Sequence, residues 1–70
     1  MSNTTYRKVK LVGESATGME DAVRTALETS AEKVRHQSWC QVTDIRANIN
    51  DSGGVDRWQV EVEVAFRVED

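Results

Sequence analysis

Arg57-Trp58-Gln59-Val60-Glu61-Val62-Glu63-Val64-Ala65-Phe66-Arg67-Val68-Glu69 alternates with a period of two along its whole length. Trp58, Val60, Val62, Val64, Phe66 and Val68 fall on one side, and Arg57, Gln59, Glu61, Glu63, Ala65, Arg67 and Glu69 on the other. Successive side chains of a strand point to opposite faces, so this stretch reads as a strand with one apolar and one almost wholly polar face. Such a strand belongs to an antiparallel sheet with one side on a core and the other on water or on another subunit.

Working backwards, Asn50-Asp51-Ser52-Gly53-Gly54 has the composition of a turn between antiparallel strands. The stretch before it, Ser38 to Asn50, is a second strand whose alternation breaks. Cys40 and Val42 share one parity, whereas Ile45, Ala47 and Ile49 share the other. One extra residue near Thr43–Asp44, a β-bulge, puts all five on the core face. Trp39 and Gln41 then point outward before the bulge, and Asp44, Arg46 and Asn48 after it.

Met19, Ala22, Val23, Ala26, Leu27, Ser30 and Val34 recur at helical spacing and predict a helix over 17–35. Thr17 and Glu20 fit a capping box, with Ser15 the other candidate cap. Arg24 and Glu28 are spaced to pair, and Lys33, Arg35 and His36 suit the negative end of the helix dipole. Gly13 to Gly18 reads as the turn that leads in. Residues 6–12 form a first strand, with Val9 and Leu11 on one face and Lys8 and Lys10 on the other. The predicted fold is α+β: a β-α-β-β subunit whose three-stranded antiparallel sheet packs on one helix, a single domain over 1–70 with residues 1–5 frayed.

A chain of 70 residues buries only about 60% of its unfolded surface and is marginal alone. One cysteine and one histidine supply neither a disulfide nor a metal cluster, so oligomerisation is the remaining common source of stability. Open sheet edges point the same way. A formal net charge of -3 gives no case for a nucleic-acid surface. No stretch approaches a membrane span, and MSNTTYRKVK has no apolar run. The single cysteine fits a reducing compartment, and the expectation is a soluble, cytoplasmic protein.

Two outward residues carry the functional expectation. An outward tryptophan, Trp39, serves either as an anchor in a subunit contact or as a stacking platform for a flat heteroaromatic ligand. Gln59 offers a donor and an acceptor on one amide, a match for a ring edge carrying a carbonyl beside an N–H, or it is an ordinary solvated strand residue. Arg46, Arg67 and Lys10 are outward cations suited to a phosphate, or to cross-strand pairing with Glu61, Glu63 or Glu69. Cys40 reads as a small core residue and His36 as a helix-end cap. No nucleophile–base pair, P-loop, dinucleotide glycine pattern or metal-ligand spacing is present, so no catalytic residue is assigned.

From Tyr6 to Asp70 the chain resembles the dodecins. The resemblance rests on Tyr6-Arg7-Lys8-Val9, Val12-Gly13-x-Ser15 with Gly18, Ser38-Trp39-Cys40-Gln41-Val42 with Asp44-Ile45-Arg46, Trp58-Gln59-Val60 and Ala65-Phe66-Arg67-Val68-Glu69. It implies a non-enzymatic homo-dodecamer of tetrahedral symmetry that stores flavin, FMN or riboflavin or the breakdown product lumichrome, in antiparallel pairs at two-fold interfaces. It further implies that Trp39 stacks on the isoalloxazine and quenches its excited state by electron donation, and that Gln59 contacts the ring edge. Arg46 would lie near the ribityl or phosphate portion, and Arg67 at a basic position some members use for coenzyme A. The chain departs from the family at Ser38, Cys40, Gln41, Ala47, Trp58 and Ala65, where aspartate, phenylalanine, glutamate, glycine, tyrosine or histidine, and glycine are usual. The expectation is that Trp58 fills space left by Cys40 and that ligand preference differs. The alternative expectation is a structural or adaptor oligomer that has lost flavin or binds another flat ligand such as coenzyme A.

Overall fold

The alternating stretch lies at the centre of the sheet. The computed structural model describes residues 3–68 and contains β1 (Tyr6–Ser15), α1 (Met19–Ala31), β2 (Gln37–Ile49) and β3 (Val55–Arg67). The three strands run in the order β1-β3-β2, with β3 antiparallel to both neighbours. The β-α-β-β order and the antiparallel sheet on one helix agree with the sequence reading. The fraying expected of residues 1–5 falls partly outside the described residues, as does Glu69. Thr5 is tied down, its carbonyl accepting a hydrogen bond from the Val68 N–H.

Val60, Val62 and Val64 of β3 are fully buried, and with Ala22 and Ala26 of α1 they form the core. Val9, Leu11, Val23, Leu27 and Cys40 pack around them. Small residues on the helix let its backbone come close to the sheet. At Gly13 the approach is closest: a Cβ there would sit 1.9 Å from the Ala22 carbonyl oxygen. No side chain fits that gap, and the obstructing atom is backbone.

The bulge stands where the broken alternation puts it. Val42 pairs with Val62 and Asp44 with Glu61, leaving Thr43 as the extra residue. Its hydroxyl donates to the Glu61 carboxylate at 2.8 Å. Two further register shifts, between Gln37 and Trp39 and between Asn48 and Ile49, have no signal in the alternation. At the hairpin, the Asn50 side chain accepts from the Ser52 and Gly54 N–H groups, and Gly53 supplies the positive φ of 88°.

Several expectations are corrected. β1 runs on to Ser15 rather than ending at Val12. The helix spans Met19–Ala31 rather than 17–35. Pairing of Gln37 with Phe66 claims the chain for β2, so the stripe's last member, Val34, lies beyond the helix. The capping box does not form. Gly18 is the N-cap and makes no side-chain cap bond. Ser15 Oγ instead accepts from the Thr17 and Gly18 N–H groups and donates to Asp21 at 2.7 Å. Arg24 pairs with Asp21, one turn back, rather than with Glu28. His36 does not cap the helix: with φ 63° it makes the turn into β2, and its carbonyl accepts from Arg67 N–H. Trp58 does not fill space beside Cys40, because it pairs with Ala47 while Cys40 pairs with Val64, six residues further along β3.

The helix lies over β1 and β3. Val42 and Ile45 therefore occupy the core-side face as their parity requires, yet stand 46% and 50% exposed in the subunit. Sheet and helix together measure 58 × 20 × 13 Å, one sheet and one helix thick, with β1 and β2 as open edges.

Candidate functional site

On the face away from the helix, the register sets side chains in rows. Lys8, Ala65 and Trp39 share one row; Lys10, Glu63 and Gln41 the next; then Val12, Glu61 and Asp44; then Glu14, Gln59 and Arg46. Tyr6 flanks the first row opposite Arg67. The middle of this face is laced by ion pairs, Lys8 with Glu63 at 3.3 Å and Lys10 with Glu61 at 3.9 Å. Lys10 thus takes the cross-strand role among its alternatives.

Trp39 has no core to enter. Its partner on β3 is Ala65, the one small apolar residue in the polar register of that strand. Ala65 is 0% exposed although it faces away from the helix. Something must cover it, and the two aromatic rings do: Tyr6 and Trp39 reach towards each other from opposite sides of β3, with centroids 4.8 Å apart and planes tilted by 59°. This is a favourable tilted pair that holds the indole in a defined pose. Trp39 remains 47% exposed, so about half of the residue is free for a further contact. Sequence reasoning missed Tyr6; its outward parity with Lys8 and Lys10 was the available signal.

Gln59 and Arg46 come together at the other end of the sheet. Arg46 Nε–H donates to Gln59 Oε1 at 2.6 Å, and Gln59 Nε2–H donates to Glu14 Oε2 at 2.6 Å. They border a concavity of about 170 Å³ with Val12, Asp44 and Glu61. Val12 and Glu14 are further residues that the sequence reading did not single out. Lining this concavity, Val12 gives it an apolar wall.

Trp39 and Gln59 do not meet within one subunit. Their β3 positions, 65 and 59, lie six residues apart, or roughly 20 Å at the rise of a strand. A ring system stacked on Trp39 does not reach Gln59 of the same chain. The adjacency of strands that made the pair attractive is real, but the register separates the side chains.

Arg67 sits apart from Gln59 and Arg46. Its guanidinium lies 3.4 Å from His36 Nδ1. Around it Arg7, Lys33, Arg35, Val34, Phe66 and Val68 border a concavity of about 380 Å³. Cys40 faces the core side against the buried cluster, as its parity requires. Among the described residues no group of three or more His, Cys, Asp or Glu is placed to hold a metal ion. No helix among them is long and apolar enough to cross a membrane.

The subunit is a thin α+β unit with open sheet edges and a half-exposed tryptophan on its outer face. The chain belongs to the dodecin family, whose model matches residues 5–69, a family of binding proteins rather than enzymes. It is 43% identical over 65 residues to a dodecin of Thermus thermophilus, covering 93% of each chain. The structure of the dodecin from Streptomyces coelicolor superposes with a TM-score of 0.93 at 41% identity, covering 100% of this chain and 99% of that one. The dodecin from Streptomyces davaonensis gives a TM-score of 0.92 at 33% identity, over 99% and 100% of the two chains.

Proposed function

We propose that this protein stores a flavin, riboflavin or FMN, between paired subunits of a homo-dodecamer and suppresses its photochemistry. The observation that carries the reading is the pose of Trp39: half-exposed on the outer sheet face and braced by Tyr6 over a buried Ala65. Family membership supports the ligand class. The separation of Trp39 and Gln59 within a subunit, roughly 20 Å at the rise of a strand, supports a two-fold site. In an antiparallel pairing of outer faces, Trp39 of one copy and Gln59 of the next approach the same ring. Each ring is then sandwiched rather than merely touched, which excludes water and substrate alike.

In this site the indole donates an electron to the photoexcited flavin and receives it back, so no net chemistry occurs. Arg46 supports the ribityl or phosphate portion, and Gln59 reads the ring edge. A base stacked on an aromatic side chain is worth about 1–3 kcal/mol. Trp39→Ala is therefore expected to weaken riboflavin binding roughly 5- to 150-fold and to abolish quenching. Titrating the assembled protein into riboflavin and following flavin fluorescence tests this. Saturable quenching that Trp39→Ala removes supports the reading. Unchanged fluorescence with the wild-type protein refutes it and leaves a structural or adaptor oligomer.

One observation favours a second ligand. Four of the nine Lys and Arg residues of an acidic chain, Arg7, Lys33, Arg35 and Arg67, surround a concavity with an apolar floor of Val34 and Phe66. That chemistry suits a phosphate-bearing ligand with an apolar part, and coenzyme A fits the description. The lining of this concavity supports a role for Arg67 in this second site.

A further inference from the structure

The row Glu14–Gln59–Arg46 has a direction. An arginine has only donors and an ionised carboxylate only acceptors. Arg46 lies on the β2 side of Gln59 and Glu14 on the β1 side, both at 2.6 Å. Only one orientation of the amide satisfies both neighbours: oxygen towards Arg46, nitrogen towards Glu14. The reversed amide sets N–H against N–H and oxygen against oxygen. Glu14 is itself held. Its other oxygen, Oε1, faces Arg57 at 3.7 Å, two residues before Gln59 on the same face of β3. One carboxylate oxygen thus serves the anchor and the other the amide.

With both flanks occupied, the tip of Gln59 still has one N–H and one oxygen lone pair to offer. Because the two flanks are fixed, the remaining acceptor lies on the β2 side and the remaining donor on the β1 side. We infer that Glu14 is a positioning residue that sets the direction in which Gln59 reads a bound ring, so that the site takes a cyclic-imide edge in one orientation only. This rests on the flavin reading above. The imide edge of such a ring carries an N–H between two carbonyls. The amide pairs with the N–H and with one carbonyl, and the locked orientation decides which.

The test compares riboflavin with its two analogues that carry sulfur in place of one or the other pyrimidine-ring carbonyl oxygen. Sulfur is the poorer acceptor, so the wild-type protein should discriminate between the analogues by about ten-fold in Kd, the loss of one hydrogen bond, measured by calorimetry on the assembled protein. Glu14→Gln keeps an acceptor on that flank and should keep the order. Glu14→Lys puts donors on both flanks, leaves no preferred amide orientation, and should reduce the discrimination to less than about three-fold. The double exchange Glu14→Arg with Arg46→Glu reverses the row and should reverse the order of the two analogues, which a merely structural role of Glu14 would not do. If the exchanged protein does not assemble, the exposed single change Glu14→Lys decides. The proposal is overturned if wild-type discrimination survives in Glu14→Lys or wild-type order survives in the double exchange, while riboflavin still binds and is quenched. A wild-type protein that neither binds nor quenches riboflavin overturns the flavin reading itself, a result distinguishable from the first.

Discussion

Tyr6 illustrates how a single residue with no expected binding role can shape a site. It lies on an edge strand, half-exposed, and contributes little to the core. Its work is on the other face, where with Trp39 it closes over Ala65. A tilted aromatic pair contributes about 0.5–1.5 kcal/mol beyond its area burial. Tyr6→Ala should therefore destabilise the fold by about 1 kcal/mol and set the indole loose. Because Trp58 also emits, the comparison belongs in a Trp58→Phe background. There, Tyr6→Ala should move Trp39 emission to longer wavelength and weaken riboflavin quenching. An unchanged emission maximum would show that the ring needs no brace. Trp39, Gln59 and Arg46 were legible as outward residues because parity alone assigns a face. Tyr6 and Val12 share the outward parity of Lys8 and Lys10, but nothing ties them to the site until the register names their cross-strand neighbours, and Glu14 read as part of a turn.

At the scale of elements, the bulge at Thr43 is the feature on which the outer face depends. A strand's side chains repeat every two residues, so one residue more or less exchanges its faces. Without Thr43, Cys40 and Val42 could not share a face with Ile45 and Ala47, and either Trp39 or Arg46 would point inward. Deleting Thr43 should leave no register that buries both halves of β2. The expected outcome is loss of the cooperative thermal transition, or insoluble protein; Thr43→Ala, which keeps the extra residue and loses one hydrogen bond, should cost about 1 kcal/mol and retain the assembly. A deletion variant that melts as sharply as the parent would mean that β2 slips without penalty. This bulge was legible because hydrophobic residues lie on both sides of it. The shifts near Ser38 and Asn48 were not, as the surrounding residues are polar or terminal and leave the pattern undisturbed. The helix was overlong in the sequence for a related reason: periodicity continues to Val34, but the demand of β2 for Gln37 is a long-range one.

At the scale of the molecule, the subunit is unfinished. Its helix covers β1 and β3, and beyond Cys40 the core-side face of β2 is open, with Val42 and Ile45 about half exposed. Full burial of an aliphatic side chain is worth about 1.5–3 kcal/mol, so covering the remaining half of each returns roughly 1 kcal/mol per residue. In the proposed homo-dodecamer, closed symmetry would repeat that gain in every copy and so stabilise a marginal 70-residue domain. A second copy is the economical cover, since the bare strand lies beside a helix flank whose Val23 and Leu27 are themselves only partly buried. The assembled state should therefore show a melting temperature that rises with protein concentration. If a second copy covers this face, Val42→Asp places a charge in the contact and is expected to dissociate the assembly at low salt as well as high, because desolvating an unpaired carboxylate is not a screened surface effect. Light scattering would follow the mass and riboflavin quenching the site. If the flavin is held between subunits, quenching should disappear together with the assembly, although Val42 lies on the opposite face of the sheet from Trp39. A dissociated subunit that still quenches riboflavin stoichiometrically would place the whole site within one chain, against the separation of Trp39 and Gln59 along β3.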